Sequence, residues 1–555
     1  MRFAILPLLF ACAAAAQAPS QNLLQILTDE LQRNFTALKQ KGDPKPYFMA
    51  YEVTEEESQA ITTAMGSLID NNKTHRRYLD ITLRVGSPKF DNYHIVRGQR
   101  PRFTPGAILP LDNVPNAIRQ IVWLSTDRTY RAAARRFIEL KTREQTQLGG
   151  DDASDDFSAE KPSVHEQPAP AIPFSEQEWV GRLRTWSAEL NKYPCVLSSG
   201  VTLVLNRETK YLVNTEGTRL EFGHTFATLA VSARGKAPDG MDLMATQDFQ
   251  AAEPGHLPGA AEIQAAVNHV GQQLTDLIKA PVVEPFVGPA ILSGSAAGVF
   301  FHEIFGHRVE GHRQRDEAEG QTFTKRVNAP VLPDFLSVVF DPTRKSIGSV
   351  DLNGSYDYDD EGVPAQPLRL VDNGILKTFL MSRTPIAGFN SSNGHGRRQP
   401  GFEVVSRQSN LIVESKKQVS DAQLRQMLIE EIKRQKAPYG LYFEKVTGGY
   451  TTTQRRGLQA FTVIPLVVYR VYADGRPDEL VRGVDIVGTP LASFSKIVAT
   501  SDKPEVFNGY CGAESGSVPV SAVSPALLVS DIEIQKKDRG QEKPPVLPRP
   551  DGGGL

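Results

Sequence analysis

Four stretches in the first half of the chain carry apolar residues in a helical pattern. These stretches are residues 23–38, 115–141, 179–190 and 263–277. The pattern predicts four helices, because residues three and four positions apart share one face of a helix. Ser175 and Glu178 form a capping-box pattern at the start of the third helix. We therefore expect helices to supply one layer of this half.

Between these helices, segments of β-type composition predict strands. The segments are residues 47–53, 78–85, 93–96, 201–206, 210–214 and 225–233. Residues 214–217, Asn-Thr-Glu-Gly, are typical of a tight turn. The first half is thus predicted to be an α+β scaffold, and no residue pattern in it carries a chemical signature.

The second half is richer in strand patterns. They cover residues 336–340, 368–370, 462–472 and 527–534. One helix is predicted to begin at Ser420, and residues 372–374 and 473–475 have hairpin-turn composition. The fold class is therefore predicted to be α+β. Its strand-rich C-terminal domain would form a large curved antiparallel sheet or an incomplete barrel.

Changes in composition mark the predicted domain boundaries. Residues 149–174 contain two Asp-Asp pairs and a Pro-Ala-Pro sequence, which is typical of a solvated loop or linker. Three prolines between residues 281 and 289 indicate a second boundary. The resulting division is a leader at residues 1–18, an N-terminal α+β domain at 19–148, the linker at 149–174, a middle α+β domain at 175–285, a C-terminal domain at 286–540 and a disordered tail at 541–555.

The first eighteen residues have the pattern of an export signal. Arg2 provides a positive start, residues 3–16 are apolar, and residues 16–18, Ala-Gln-Ala, fit a cleavage site. We expect export to the periplasm or outside the cell. Lipid attachment at Cys12 is the alternative. Export would leave Cys195 and Cys511, for which a disulfide is the default expectation and a buried thiol the alternative.

Composition and charge exclude some classes of function. The 555 residues are 40% hydrophobic and 23% charged, as in ordinary globular proteins. A formal net charge of −2 gives no electrostatic reason to expect nucleic acid as a partner. After the leader, no apolar run has transmembrane length, so no integral membrane span is predicted.

The candidate chemistry lies in one apolar stretch, residues 296–307. It contains His302, Glu303 and His307, and His312 follows shortly after. Imidazole is the commonest protein ligand for zinc, and a neighbouring glutamate is suitably placed for a water-activating base. This stretch is predicted to be the metal-binding wall of a hydrolase.

The spacing of the two histidines requires a break in the helix. At positions i and i+5 they stand about 140° apart on an ideal helix. Both can face one ion only if the helix bulges or breaks between them, and Gly306 is the candidate breaking point. On spacing alone the evidence for a metal site is weak.

Two other stretches remain open on composition alone. Residues 357–366 are dense in carboxylates, which would suit a hard cation such as calcium or a solvated acidic turn. Residues 508–520 are rich in glycine around Cys511, and such a backbone could hold a thiolate at the tip of a loop.

Several motifs in one order resemble the TldD/PmbA family of metalloproteases. The motifs are His302-Glu-x-x-x-His307, Asp360-Glu361-Gly-Val-Pro-Ala-Gln, Arg407-x-Ser-Asn410, Gly448-Gly449 and Cys511-Gly followed by Val-Pro-Val. They run from about residue 288 to residue 534. Among family members, the chain resembles the active TldD-type subunit, because the PmbA (TldE) type lacks the histidine motif.

The resemblance implies a zinc site formed by His302, His307 and Cys511, with Glu303 as the catalytic base for hydrolysis of peptide bonds. Two imidazoles and one thiolate would leave tetrahedral zinc one open position. His312 remains a competing third ligand. Glu310 remains open as a fourth ligand or as an acceptor for an imidazole N–H.

The family also implies two related subunits around an enclosed cavity, and hence short or unfolded peptides as substrates. The export signal is a departure from the cytoplasmic members. The partner therefore stays open between a second copy, giving a homodimer, and a related subunit, giving a heterodimer. A non-catalytic peptide-binding or scaffolding subunit is the alternative function. The complete set of His, Glu and Cys argues against it.

Overall fold

The protein is described by a computed structural model that covers residues 22–96, 100–144, 154–456, 460–537, 543–545 and 547. The predicted leader, Cys12 and most of the predicted tail lie outside these residues. None of the helices in the described ranges combines the length and the apolar composition needed to cross a membrane.

Eight α-helices occur in the described residues. They are α1 Leu23–Lys41, α2 Pro115–Glu144, α3 Glu176–Glu189, α4 Ala260–Lys279, α5 Gly294–Ile304, α6 His312–Arg315, α7 Asp421–Gln435 and α8 Pro490–Phe494. The four helices predicted in the first half are confirmed as α1 to α4. The capping box predicted at Ser175 is wrong. Its hydroxyl makes no capping hydrogen bond, and Glu178 accepts a hydrogen bond from Arg182 instead.

The first half is built on one eight-stranded sheet. Its strands are β1 Pro46–Ala64, β2 Ser67–Ser87, β3 Phe90–Asp91, β4 Ala107–Leu109, β5 Val164–Glu166, β6 Ser198–Asn214, β7 Arg219–Lys236 and β8 Asp242–Ala251. The main order is β3-β2-β1-β6-β7-β5, with β4 beside β2 and β8 beside β7. All pairs are antiparallel except β5 with β7.

Two strand predictions in this sheet need correction. The segments 201–206 and 210–214 are parts of the single strand β6. Residues 93–96 form no strand, because the Asp91 carboxylate accepts a hydrogen bond from the Tyr93 N–H at 2.6 Å and turns the chain.

The segment predicted as a solvated linker is partly structured. Strand β5 lies within it and pairs with β7. Asp156 is buried and accepts a hydrogen bond from Arg315 at 2.8 Å, and Phe157 is buried beside it. The acidic composition predicted a solvated segment, but the Asp156 carboxylate is buried because Arg315 of the C-terminal half neutralises its charge.

The second half contains sixteen described strands. They are β9 Phe286–Leu292, β10 Leu336–Phe340, β11 Ser346–Ile347, β12 Val350–Asp351, β13 Leu368–Asp372, β14 Ile375–Leu376, β15 Gly396–Arg397, β16 Val405–Ser406, β17 Asn410–Ser415, β18 Gln418–Val419, β19 Gly440–Thr451, β20 Phe461–Val471, β21 Glu479–Val481, β22 Val484–Gly488, β23 Ile497–Ala513 and β24 Gly516–Lys536. Strands β11 with β12 and β15 with β16 form two small sheets, and the other twelve form one large sheet.

Five strands of the large sheet close into a barrel. Their order is β24-β22-β20-β19-β9, and β9 pairs again with β24. The α+β class and the barrel-like C-terminal domain are therefore confirmed. The barrel is closed, however, and the large sheet is not wholly antiparallel, because β9 with β19, β17 with β24 and β18 with β23 are parallel pairs.

Helix α5 is the buried element that positions the candidate site. Every residue of α5 from Ala296 to Ile304 is buried. The rings of Phe300 and Phe301 pack against Phe494, with centroids 6.2 and 5.6 Å away. A helix that is apolar on all sides gains its stability from burial rather than from an amphipathic face. The helix packs against β19, β23 and β24.

The acidic stretch around residue 360 is neither a calcium site nor a solvated turn. The Asp359 carboxylate accepts hydrogen bonds from the N–H groups of Glu361, Val363 and Gly396 at 2.9–3.0 Å. The buried Asp360 carboxylate accepts from the Lys210 ammonium of β6 and from the N–H of Arg398 at 2.7 Å. These oxygens are used by protein donors, and the block joins the two halves of the chain.

We expect Lys210→Met to destabilise the protein by about 3–5 kcal/mol, because it leaves the buried Asp360 carboxylate without its ammonium partner. The matched control is Lys345→Met. Lys345 is exposed and stands 3.6 Å from Asp357, so its loss is expected to cost less than about 0.5 kcal/mol. Urea denaturation compares the two variants. Equal midpoints would contradict the proposed role of the buried pair.

Candidate metal centre

The helix carrying the two histidines breaks between them, as predicted. His302 and Glu303 lie on the last turn of α5, which ends at Ile304. Phe305 has φ −106° and ψ −53°, and a 3₁₀ helix, Gly306–Val309, follows and carries His307. The change from α to 3₁₀ geometry brings the two imidazoles together, with ring centroids 5.1 Å apart.

Gly306 is required at this break by a close approach. A Cβ atom at this position would lie 1.9 Å from the Gln408 side-chain oxygen. Gln408 is fully buried, and its side-chain N–H donates to the carbonyl oxygen of His302 at 3.3 Å. The amide therefore cannot move aside without breaking a contact to the end of α5.

We expect Gly306→Ala to lower stability by about 1–3 kcal/mol through overpacking against Gln408. Gly181→Ala is the control, because Gly181 lies in α3 with no atom within 4 Å of the added methyl group. There alanine is expected to be neutral or to stabilise by up to about 1 kcal/mol. Urea denaturation of both variants distinguishes a local clash from a general intolerance of alanine. Similar losses in the two would contradict the packing argument.

Cys511 completes a three-residue group with the histidines. It lies on β23, and one ligand atom from each of His302, His307 and Cys511 falls within 4.8 Å of the others. The Cys511 sulfur is 3.4 Å from Nε2 of His307. All three side chains are buried. The fold thus joins the end of a helix to a strand 204 residues later in the chain.

His312 and Glu310 occupy different places from this group. Nε2 of His312 contacts the Glu514 carboxylate, so the geometry favours Cys511 over His312 as the third ligand. The Glu310 carboxylate stands 3.4 Å from Nδ1 of His307 and accepts from Nε of Arg313 at 2.8 Å. Glu310 therefore contacts Nδ1 of His307, while Nε2 of the same ring faces Cys511, and so it fixes the orientation of the imidazole. This position does not support Glu310 as a fourth ligand.

The predicted disulfide does not form. Cys195 and Cys511 are both free thiols in the described structure. The Cys195 sulfur contacts the Thr275 hydroxyl of α4 at 3.2 Å, whereas Cys511 lies on β23 of the large sheet. The two thiols therefore lie in different halves of the chain and contact different residues.

The electrostatics of the site favour a thiolate. Burial raises the pKa of the Cys511 thiol, but the charges of His307 and His302 outweigh it and hold that pKa well below its ordinary value. Burial lowers the pKa of His307, but Cys511 and Glu310 outweigh it and raise that pKa to about 10. The thiolate is the form of cysteine that binds metals.

Glu303 lies beside the three-residue group without joining it. Burial raises the pKa of its carboxyl group, and His302 and His307 oppose the rise. A Cβ on Gly449 of β19 would lie 2.8 Å from Cγ of Glu303, so the backbone of this strand passes directly against the glutamate. A side chain at position 449 would collide with Glu303, which is why glycine stands there. Gly449 belongs to one of the motifs of the family resemblance, but its role could not be predicted from the sequence.

Two cavities meet at these residues. One of about 570 Å³ is lined by His302, Glu303, His307 and Cys511, together with residues of β19 and β23. A second of about 490 Å³ shares His302 and Glu303. The glutamate and the first histidine thus line both cavities.

Three arginines around the site were not identified as functional from the sequence. Arg308 donates to the carbonyl oxygens of Glu303 at 2.9 Å and Ile304 at 3.2 Å, and so caps the end of α5. Arg407 donates to the Cys511 carbonyl oxygen. Arg313 donates to Glu310 and to Glu514. Arg407 belongs to a recognised motif, but only the fold shows that it holds the backbone of Cys511.

Comparisons with known proteins show which proteins this chain is similar to. A sequence profile of the PmbA/TldA metallopeptidase C-terminal domain matches residues 287–536. A protein of Archaeoglobus fulgidus named “Metalloprotease” is 29% identical over 273 residues, which are 49% of this chain and 58% of that protein. A protein of Saccharolobus solfataricus named “Zinc metalloprotease TldD homolog” is 23% identical over 301 residues, which are 54% of this chain and 62% of that protein. The chain thus spans less than two thirds of the length of either relative.

The fold has a relative among solved structures as well. TldE from Thermococcus kodakarensis matches 92% of this chain and 100% of its own with a TM-score of 0.60 and 13% sequence identity. At that identity the likeness shows the fold alone. The profile and the named relatives lead to one assignment: residues 287–536 of this chain form a C-terminal domain of the TldD/PmbA family.

Proposed function

We propose that the chain is a zinc-dependent peptidase that hydrolyses short or unfolded polypeptides. The observation that carries the proposal is the grouping of His302, His307 and Cys511 within 4.8 Å, with Glu303 on the wall of the same cavity. Relatives named metalloprotease and zinc metalloprotease support the class of activity.

The residues fit a zinc ion by their chemistry. Two imidazoles and a thiolate are ligands that zinc prefers, and three protein ligands leave one position for water or substrate, as in catalytic sites. The depressed pKa of Cys511 provides the anionic sulfur. When bound, zinc supplies Lewis acidity that polarises a carbonyl group and makes water a stronger acid.

Each neighbouring residue then has a defined task. Glu303 accepts a proton from the attacking water and returns it to the leaving amine, which a carboxylate with a pKa raised by burial is suited to do. Glu310 fixes the orientation of His307 through Nδ1. Arg407 holds the backbone of Cys511 in place.

The cavities support a polypeptide substrate rather than a small molecule. Both are lined by Glu303 and by residues of β19 and β23, and the second is also lined by β8 of the first half, so the space beside Glu303 is larger than either cavity alone. We also propose that the chain is exported, on its leader pattern, and that it works as a dimer with a second copy or a related subunit. The fold shared with TldE supports the related subunit.

Chelation of the full chain tests the function. Zinc-loaded protein is expected to degrade a reduced and alkylated polypeptide. Phenanthroline should stop degradation, and added zinc should restore it. Degradation that survives complete metal removal would refute the metal-dependent mechanism. Zinc binding with no degradation of any unfolded polypeptide would instead favour a non-catalytic subunit.

A further inference from the structure

His307 and Cys511 both lie close to the end of a secondary-structure element. His307 is on the single-turn 3₁₀ helix Gly306–Val309. Cys511 is near the end of β23, and residues 514 and 515 form the turn that joins β23 to β24. The separation of these two proposed metal ligands therefore depends on contacts beyond their own elements.

One arginine contacts the supports of both residues. Nε of Arg313 donates to the Glu310 carboxylate at 2.8 Å, and that carboxylate stands 3.4 Å from Nδ1 of His307. Nη2 of Arg313 donates to the Glu514 carboxylate at 2.9 Å. Glu514 belongs to the hairpin turn that directly follows the strand of Cys511. Glu310, Arg313 and Glu514 thus form a bridge from the His307 side of the site to the Cys511 side.

The remaining contacts of Arg313 fix its guanidinium group. Nη1 donates to the Glu319 carboxylate and to the Thr453 hydroxyl, each at 3.0 Å. All three guanidinium nitrogens are therefore used, and the residue is only 7% exposed. Because the guanidinium is planar and its donors point in fixed directions, it holds the two carboxylates of the bridge in one relative placement. A lysine ammonium is a point charge on a flexible stem and cannot reproduce this geometry.

We propose that Arg313 is a positioning residue for the metal, which sets the separation of His307 and Cys511 through the Glu310–Arg313–Glu514 bridge before the ion binds. This inference rests on the proposed zinc site and adds that a residue which binds no metal presets the distance between two ligands. Arg313 acts only through the partners of the ligands and takes no part in bond cleavage.

Zinc affinity without substrate tests the inference on the full-length chain, by competition with a fluorescent chelator. Arg313→Lys keeps the charge but not the bridge. It is expected to weaken zinc binding about 10- to 100-fold, the usual effect of losing an outer partner of a metal ligand.

Arg482→Lys is the matched control for this variant. Arg482 is also buried, pairs with Asp239 at 3.1 Å and donates to the carbonyl oxygen of Ala280 at 2.9 Å. It lines neither cavity at the metal centre. Its variant is expected to lose stability, as Arg313→Lys does, and to keep the zinc affinity of the wild type.

A double-mutant cycle separates the bridge from a general loss of packing. Glu514→Ala removes the far end of the bridge and is expected to weaken zinc binding by itself. The Glu514 side chain is 27% exposed, so this variant should fold even if Arg313→Lys does not. Glu514 also contacts Arg100 and His312, and the cycle removes their share. If the bridge acts as a unit, adding Arg313→Lys to Glu514→Ala weakens binding further by less than about twofold.

Three results would overturn the inference. They are a zinc affinity of Arg313→Lys within about twofold of the wild type, effects of the two substitutions that multiply independently, and an unchanged affinity of Glu514→Ala. Unchanged affinity with a raised KM in Arg313→Lys would assign Arg313 to substrate binding instead, because it lines the same cavity as Glu303. Wild-type protein that binds no zinc would refute the proposed function itself, whereas tight binding that is independent of Arg313 would refute this inference alone.

Discussion

Glu303→Gln is expected to lower kcat/KM for peptide hydrolysis about 1,000-fold while zinc stays bound. Glutamine keeps the size of the side chain, so packing against Gly449 is preserved. It cannot accept a proton, and a positioned general base typically contributes about 10²- to 10⁴-fold. Glu303 is outside the three-residue group, so metal affinity should change little. The measurement is single-turnover hydrolysis together with zinc content by mass spectrometry.

Glu262→Gln is the matched control for this prediction. Glu262 lies exposed in the first turn of α4 and touches neither cavity at the metal centre. Its variant should hydrolyse peptide like the wild type. Activity of Glu303→Gln within a few-fold of the wild type, at equal zinc content, would show that another group accepts the proton.

Cys511→Ser is expected to remove both the metal and the activity. A serine hydroxyl stays protonated at neutral pH and lacks the soft sulfur that zinc prefers. Loss of an outer partner of a ligand already weakens binding about 10- to 100-fold, so loss of the ligand itself should weaken zinc binding by more than about 100-fold. Competition with a fluorescent chelator measures the affinity.

Cys195→Ser provides the control. Cys195 is half-buried against Thr275, in the first half of the chain. Its variant should bind zinc and hydrolyse peptide as the wild type does. Full zinc retention in Cys511→Ser would contradict the proposed ligand set, and His312 would then have to be reconsidered.

The sequence predicted those elements whose stability depends on local pattern. Helices α1, α2 and α4 follow from apolar residues at helical spacing, and their ends fall within a few residues of the predicted ones. The helix predicted to begin at Ser420 is α7, and its start is fixed locally because the serine caps it and pairs with Gln423. In these cases the residues that set the structure are close together in the chain.

The parts that the sequence could not predict depend on distant contacts. Closure of the barrel requires β9 to pair with both β19 and β24, which no local pattern encodes. The carboxylates at 359 and 360 look like a cation site until Lys210 and the surrounding N–H groups are seen. Ser175 makes no capping hydrogen bond, because Glu178, its expected partner, pairs with Arg182 instead.

The candidate site shows the same division. His302, Glu303 and the break at Gly306 could be read from one short stretch, because spacing and the glycine are local signals. Cys511 could be added only through a family resemblance, since 204 residues separate it from His307.

Zinc X-ray absorption spectroscopy of the full-length, zinc-loaded chain measures the ligand set most directly. We expect one sulfur at about 2.3 Å and two imidazole nitrogens at about 2.0–2.1 Å, with the sulfur signal lost in Cys511→Ser and kept in Cys195→Ser. A zinc environment of nitrogen and oxygen alone in the wild-type protein would contradict the central claim that the end of a helix and the distant strand β23 hold one ion together.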